Sequence, residues 1–193
     1  MANKITYGLK NLHIAMRLDD DSAGEPTWDT PVAIPGVIGF KPTTEGEEVK
    51  QYADNIVYFT ATTNNGYTAD LETALIPDAV LADILNWVED ANGALVEDAD
   101  ALPAPFALMG QVEGDDKNRR FVYYECRAAR PEREEKTKEA TITPATDTIR
   151  LTITPIVIGD MTVTKAVMQE SDTNTAEYAG FFEAVYTPVE DSV

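Results

Sequence analysis

One histidine and one cysteine in 193 residues leave few side chains for catalysis or metal binding. Cys126 has no second cysteine to pair with, so an intramolecular disulfide is excluded and a reducing compartment suits the chain. It closes the strand-like run Phe121-Val-Tyr-Tyr-Glu-Cys126, where a buried, inert thiol is expected rather than a nucleophile. A nucleophile–histidine arrangement would have to combine His13 with Cys126 or with one of the three serines, Ser22, Ser171 and Ser192. None of these stands in a nucleophile motif. Phosphate loops, dinucleotide fingerprints and Cys/His metal spacings are missing too. Paired carboxylates arise by chance in so acidic a chain, and no catalytic, cofactor-binding or metal-binding residue is nominated. Basic charge is also scarce: 15 Lys and Arg stand against 34 Asp and Glu, a net charge of −19. Affinity for nucleic acid comes from cations that neutralise phosphates, so this balance argues against direct binding and fits repulsion. It also keeps a protein dispersed. No apolar run approaches the ~20 residues that span a bilayer. The N-terminal MANKITYG lacks the apolar core of a signal peptide. The expectation is a protein made in the cytosol, without membrane contact.

What is present is best ordered between Asn55 and Gly93. Asn65-Gly66 suits a two-residue turn with positive φ at both central positions, which predicts a hairpin pairing the residues before it with those after. One face then carries Ile56, Tyr58, Thr60, Leu71 and Leu75. The other carries Val57, Phe59, Asp70, Glu72 and Ile76 and turns acidic near the tip. Pro77 suits a first helical position, and Asp78 places negative charge at the positive end of the helix dipole. Val80, Leu81, Ile84, Leu85 and Val88 form one apolar stripe, with Trp87 at its edge and Asn92-Gly93 as a left-handed stop. The spacing predicts a helix over about 77–90, packed on the hairpin's apolar face.

Elsewhere, apolar alternation at Ile5, Tyr7 and Leu9 slips phase after Lys10-Asn11 to Leu12, Ile14, Met16 and Leu18, as at a bulge. Asp19-Asp20-Asp21 opens a polar turn. It lacks the spaced ligands and closing glutamate of a calcium loop. Residues 32–40 read as an edge or bulged strand broken at Pro35-Gly36. Residues 41–55 show little periodicity and read as a long loop, a candidate contact element through Glu45, Glu47, Glu48 and Lys50. Strands are expected at 106–113, 120–128, 148–158 with a reset at Pro155, and 161–167. A short helix is expected in the tail, with Ala176, Ala179, Phe182 and Val185 at threes. The sum is a mainly β (α+β) fold of seven to nine strands. It is read as an antiparallel β-sandwich or partial barrel with one flanking α-helix, in a single domain over 1–193.

Charge is segregated. Lys117, Arg119, Arg120, Arg127, Arg130, Arg133, Lys136 and Lys138 fall in one window with four acids, which leaves the window at +4 and the rest of the chain at −23. An ordinary solvated hairpin explains this. So does self-complementarity, in which a basic patch of Lys117, Arg119, Arg120, Arg130 and Arg133 on one copy meets acids on the next. A heterologous contact of that kind builds rings or filaments.

The run Tyr52-Ala-Asp-Asn through Asn65-Gly-Tyr-Thr-Ala-Asp-Leu-Glu-Thr-Ala resembles the siphophage major tail proteins, the tail tube subunits. So do Phe106-Ala-Leu with Gln111-Val-Glu-Gly-Asp, Tyr123-Tyr-Glu-Cys with Arg130-Pro131, and Phe181-Phe-Glu-Ala-Val-Tyr-Thr-Pro. The order and spacing of these segments, rather than any one motif, carry the resemblance. It implies a tail-tube-like β-sandwich with a flanking helix that assembles as hexameric rings stacked into a hollow tube. Sheets of neighbouring subunits would join around a channel for double-stranded DNA. It further implies a terminator, a tape-measure protein and a baseplate as partners, no cofactor, and a place in the virion tail after synthesis in the host bacterial cytoplasm. The chain ends soon after the Phe181–Pro188 segment, so no C-terminal immunoglobulin-like extension is expected. On this reading Asp70 and Glu72 face the channel, and the loop 41–55 stacks on the neighbouring ring. Two alternatives stand beside it. One is another ring-forming tail component, a terminator or a contractile-system tube. The other, of a different class, is a carbohydrate- or calcium-binding β-sandwich module using Asp19–Asp21.

Overall fold

The computed structural model describes residues 7–114, 118–132 and 146–189. Fourteen strands are found among them: β1 (Leu9–Met16), β2 (Val32–Ala33), β3 (Val37–Glu45), β4 (Glu48–Ala53), β5 (Ile56–Thr62), β6 (Gly66–Thr73), β7 (Val88–Glu89), β8 (Leu95–Val96), β9 (Phe106–Val112), β10 (Arg120–Ala128), β11 (Asp147–Ile153), β12 (Ile156–Ile158), β13 (Met161–Val163) and β14 (Lys165–Met168). Two short helices, α1 (Asp78–Leu85) and α2 (Thr175–Ala179), and a 3-10 turn at Gly180–Phe182 complete the set. The main sheet runs β2-β1-β9-β10-β11-β6-β3, all antiparallel, with β14 also on β10. The expected seven to nine strands are too few, because several of the fourteen are two or three residues long and too short to leave a periodicity.

Hydrophobic patterning explains how this sheet is covered. In β11 Ile149, Leu151 and Ile153 are buried while Arg150 and Thr152 between them are exposed, so one face only meets the core. In β9 the whole run Phe106-Ala-Leu-Met-Gly-Gln is buried, because this strand is sandwiched on both faces. Phe106 and Leu108 join a first cluster with Leu12, Ile14, Leu71 and Ile149, enclosed by the curled sheet. Val80, Leu81, Ile84 and Leu85 of α1 plug one end of it. Ala107 and Met109 join a second cluster on the outside of β1, β9 and β10, covered by Tyr178 and Phe181 of the tail and by Trp28 and Ile158. Leu108, Met109 and Val122 are fully buried, and each contributes about 1.5–3 kcal/mol by leaving water. The result is the expected mainly β partial barrel with a flanking helix. The phase slip at Lys10-Asn11 is a bulge between Lys10 and His13, where Asn11 takes φ 53°. Pro35-Gly36 separates the two strands that end the sheet, β2 and β3.

Three local expectations fail, each because a non-local partner decides. First, Asn65-Gly66 does not turn a hairpin. The two-residue turn with both φ values positive is Asp54-Asn55, at 52° and 65°, and it joins β4 to β5. β6 pairs instead with β3 and β11. Ile56 and Tyr58 therefore do not share a buried face with Leu71. They are 63% and 78% exposed, Leu75 is exposed as well, and Ile76 is buried. Second, residues 41–55 are not a loop: they finish β3 and form β4. Third, α1 stops at Leu85, with Asn86 in the left-handed conformation (φ 53°, ψ 40°) and its side-chain amide donating to the Leu102 carbonyl at 2.7 Å. Pro77 precedes the helix with an extended ψ of 137° rather than opening its first turn. Val88 falls in β7, and Asn92-Gly93 instead forms the β7–β8 turn, held by the Asp90 carboxylate accepting from Asn92 N and Ala94 N. The short helix expected in the tail does form, as α2 and the 3-10 turn, but it buries Tyr178 and Phe181 and leaves Ala176 and Ala179 of the stripe at threes exposed.

Candidate functional site

Among the described residues, two uncovered surfaces involve the residues from β3 to β6. The first is the outer face of β3, β6 and β11. Register brings Lys41, Asp70 and Arg150 into one cross-strand row, with Thr43, Thr68 and Thr152 in the next. Asp70 Oδ1 accepts from Arg150 Nε at 3.4 Å, with both side chains more than half exposed. Glu72 Oε1 accepts from Thr146 Oγ1 at 2.9 Å. Asp70 and Glu72 thus lie on one face, as expected, but that face is not simply acidic. Lys41 and Arg150 balance the two carboxylates, and exposed pairs of this kind contribute at most about 1 kcal/mol. Neither cation is near Asp70 in sequence. Only the strand register reveals them.

The second surface is the β4–β5 hairpin, an arm that pairs with no other strand among the described residues. Its base continues the main sheet through Asn65 N to Glu45 O at 2.9 Å and Thr63 N to Glu47 O at 3.0 Å. Beyond the base Val49, Tyr52, Ile56, Val57, Tyr58 and Phe59 are all exposed. A lone two-stranded hairpin is marginal in water, and large apolar side chains exposed on both of its faces make it a candidate interaction element. Glu45, Glu47, Glu48 and Lys50 all belong to this arm or its root, and Glu48 pairs with Lys50 at 2.9 Å.

The basic window does not gather into one patch among the described residues. Arg120 is turned inward: its guanidinium lies 3.8 Å over the Tyr178 ring and 4.9 Å from that of Phe182, and it donates to the Tyr178 carbonyl. It clasps the tail onto β10, because the buried aromatics of the second core lie beside it. Arg130 is exposed and paired with Glu97 at 2.8 Å, and Arg127 with Glu125 at 3.1 Å. Arg119 is exposed, next to the end of β9. Lys117 and Arg133, with Lys136 and Lys138, lie outside the described residues.

The chemically versatile side chains are absorbed into the fold. His13 Nδ1 lies 2.9 Å from the Asn11 carbonyl, and its ring stacks on Phe182 at 4.8 Å. The Asp21 carboxylate accepts from Ala23 N and Glu25 N. These bonds hold its pKa below the usual carboxylate value and close a turn. Cys126 is fully buried, and burial pushes its thiol far up, since the thiolate would lose its hydration. It should therefore resist thiol reagents at pH 8 in the native protein and label fully in denaturant, as Ellman titration will read; rapid native labelling would contradict the burial. Burial likewise raises the Tyr123 phenol to about 12. Raised folded-state values mean that these groups support folding below their ordinary pKa and cease to as pH climbs. The chain should thus lose stability between about pH 9 and 12.

No family model and no curated protein matches the chain. Among solved structures, it is similar to a chain in the sheath–tube complex of an extracellular contractile injection system in its extended state, with 8% identity, a TM-score of 0.46, and coverage of 83% of this chain and 89% of that one. It is similar also to a chain of the tube-terminating cap of the anti-feeding prophage, with 7% identity, a TM-score of 0.43, and coverage of 86% and 94%. A third is Hcp1 from Flavobacterium johnsoniae, with 9% identity, a TM-score of 0.37, and coverage of 80% and 99%.

Proposed function

We propose that the chain is a structural subunit that assembles with its own copies into six-fold rings stacked as a tail tube. The observation that carries this reading is the β4–β5 arm, whose large apolar side chains are exposed on a hairpin too small to be stable alone. The segments that resemble siphophage major tail proteins include this arm and support the same reading. Assembly uses the arm and its acidic root, Glu45, Glu47 and Glu48, to reach the adjoining ring. The polar face of β3, β6 and β11 forms the channel wall, with Asp70 and Glu72 toward the lumen. A wall that carries as many carboxylates as cations, on a subunit of net charge −19, offers double-stranded DNA no cluster of cations to bind, so the genome slides. In this role the chain joins a tape-measure protein, a terminator and a baseplate in the virion tail.

Negative-stain microscopy of the purified protein at rising concentration tests the reading. Stacked rings or tubes are expected, and a persistent monomer at every concentration would refute it. Reversing charge at Glu47 and Glu48 (E47K, E48K) should impair polymerisation and leave the far-UV spectrum and melting of the free subunit unchanged. Unchanged tube formation would remove these two residues from the contact.

A further inference from the structure

At the end of the barrel opposite α1 no described residue seals the first core. β1 and β3 are not paired to each other there, and the gap opens into a depression of about 290 Å³ lined by Leu9, Phe40, Pro42, Val112, Phe121 and Tyr123. The lining is aromatic and ordered. Phe40 stacks on Phe121 at 5.9 Å and meets Tyr123 edge-on at 5.4 Å. At the same end Tyr67 meets Tyr123 at 5.6 Å, with Lys165 Nζ 5.0 Å over the Tyr67 ring. Within its own chain no arm residue lines this mouth.

The described residues therefore present two apolar features of opposite shape without a partner among them, a projecting hairpin and an open mouth. Their charges differ in sign. Glu45, Glu47, Glu48 and Asp54 outnumber Lys50 on the arm, while at the mouth Lys165 lies over the Tyr67 and Tyr123 rings and Lys10 offsets the Glu113 carboxylate beside Gly8. The other end of the barrel is the poorer acceptor, since residues 78–100 hold seven carboxylates and no lysine or arginine, and Arg130 there offsets only Glu97. An acidic arm is repelled there. We infer that the arm of one copy seats in the aromatic mouth of a second copy, its apolar side chains on Phe40, Phe121 and Tyr123 and its carboxylates toward Lys165. This rests on the reading of the arm as an assembly element and names the surface that receives it.

Disulfide trapping between full-length chains tests the contact, because native Cys126 is buried and silent. A Tyr58→Cys chain is mixed with an affinity-tagged chain carrying Pro42→Cys at the mouth, or Leu102→Cys on an exposed linker as control. Under mild oxidation the mouth variant should form the mixed dimer at least about tenfold faster than the control, the ratio that a ~1.4 kcal/mol preference gives. Val112→Cys serves as a second mouth variant if Pro42→Cys proves unfolded by circular dichroism. Equal rates, or a faster link to position 102, would overturn the inference. The outcome is separable from the tube reading: rings without the preference refute this contact alone, and the preference without rings refutes the tube alone.

Discussion

Gly66→Ala is expected to lower the melting temperature by about 10 °C. Gly66 opens β6 with φ +98°, outside the range in which an L-residue is at ease, and a Cβ built there would overlap the carbonyl oxygen of Ile153. That carbonyl belongs to the backbone of the neighbouring strand, where Ile153 is registered against Tyr67, so no flexible side chain can yield. Backbone strain of about 1–3 kcal/mol adds to a steric cost of about 1–3 kcal/mol. For a domain of this size each kcal/mol moves the melting temperature by about 2–4 °C. Gly159→Ala is the control. Its φ is +59°, but nothing lies within 4 Å of the added methyl, so only the left-handed penalty of about 1–2 kcal/mol applies. Thermal melts followed by circular dichroism compare the two. Equal losses would mean that the Ile153 carbonyl moves aside and that the junction of β6 and β11 is softer than described.

The second large effect falls on assembly and spares the fold. Replacing Tyr52, Ile56, Tyr58 and Phe59 together by threonine keeps strand propensity and removes the exposed apolar surface of the arm. None of the four belongs to either hydrophobic core, so the melting temperature of the free subunit should change by no more than a few degrees. Each side chain, half to three-quarters exposed in the free subunit, gains roughly 1 kcal/mol when a partner covers it. Loss of all four should therefore raise the concentration needed for assembly by about 100-fold or more. Sedimentation velocity with parallel micrographs reads this directly. Tubes forming at the unmodified concentration would show that the arm is dispensable and that another surface joins the subunits.

The expectations that succeeded and those that failed divide along a physical line. The stripe Val80, Leu81, Ile84 and Leu85 is buried as the sequence pattern requires, because helical spacing is a property of neighbours three and four apart. The alternation Ile149, Leu151 and Ile153 likewise identifies the inner face of β11. The bulge after Lys10 appears as a slip of phase, and the Pro155 break separates β11 from β12 where the pattern resets. Asp54-Asn55 and Asn65-Gly66 are a different case. Both pairs tolerate positive φ, and local chemistry does not rank them. The choice between them is made by β3 and β11, which offer β6 two long partners and leave β5 only β4. Asn86 and Asn92-Gly93 competed in the same way as helix stops. The earlier one prevails where Ala104 N donates to the Ile84 carbonyl and the Leu102 carbonyl accepts from the Asn86 side-chain amide.

For the assembly surfaces the division is sharper still. Composition alone limited the histidine and cysteine chemistry open to the chain and set the charge, because a single histidine, a single cysteine and an excess of carboxylates are facts that no fold alters. The identity of one apolar core strand after another was equally a matter of local pattern. Which apolar residues stay outside was not. Tyr58 and Leu71 look alike in a hydropathy pattern, yet one is 78% exposed and the other 4%, since exposure depends on what the main sheet pairs with. The same holds for charge. Arg120 looked like a surface cation and is folded under the tail, while Lys41 and Arg150 come to flank Asp70 from far along the chain. Strand register is a sum of many weak pairings between distant segments, and only the tertiary structure performs that sum.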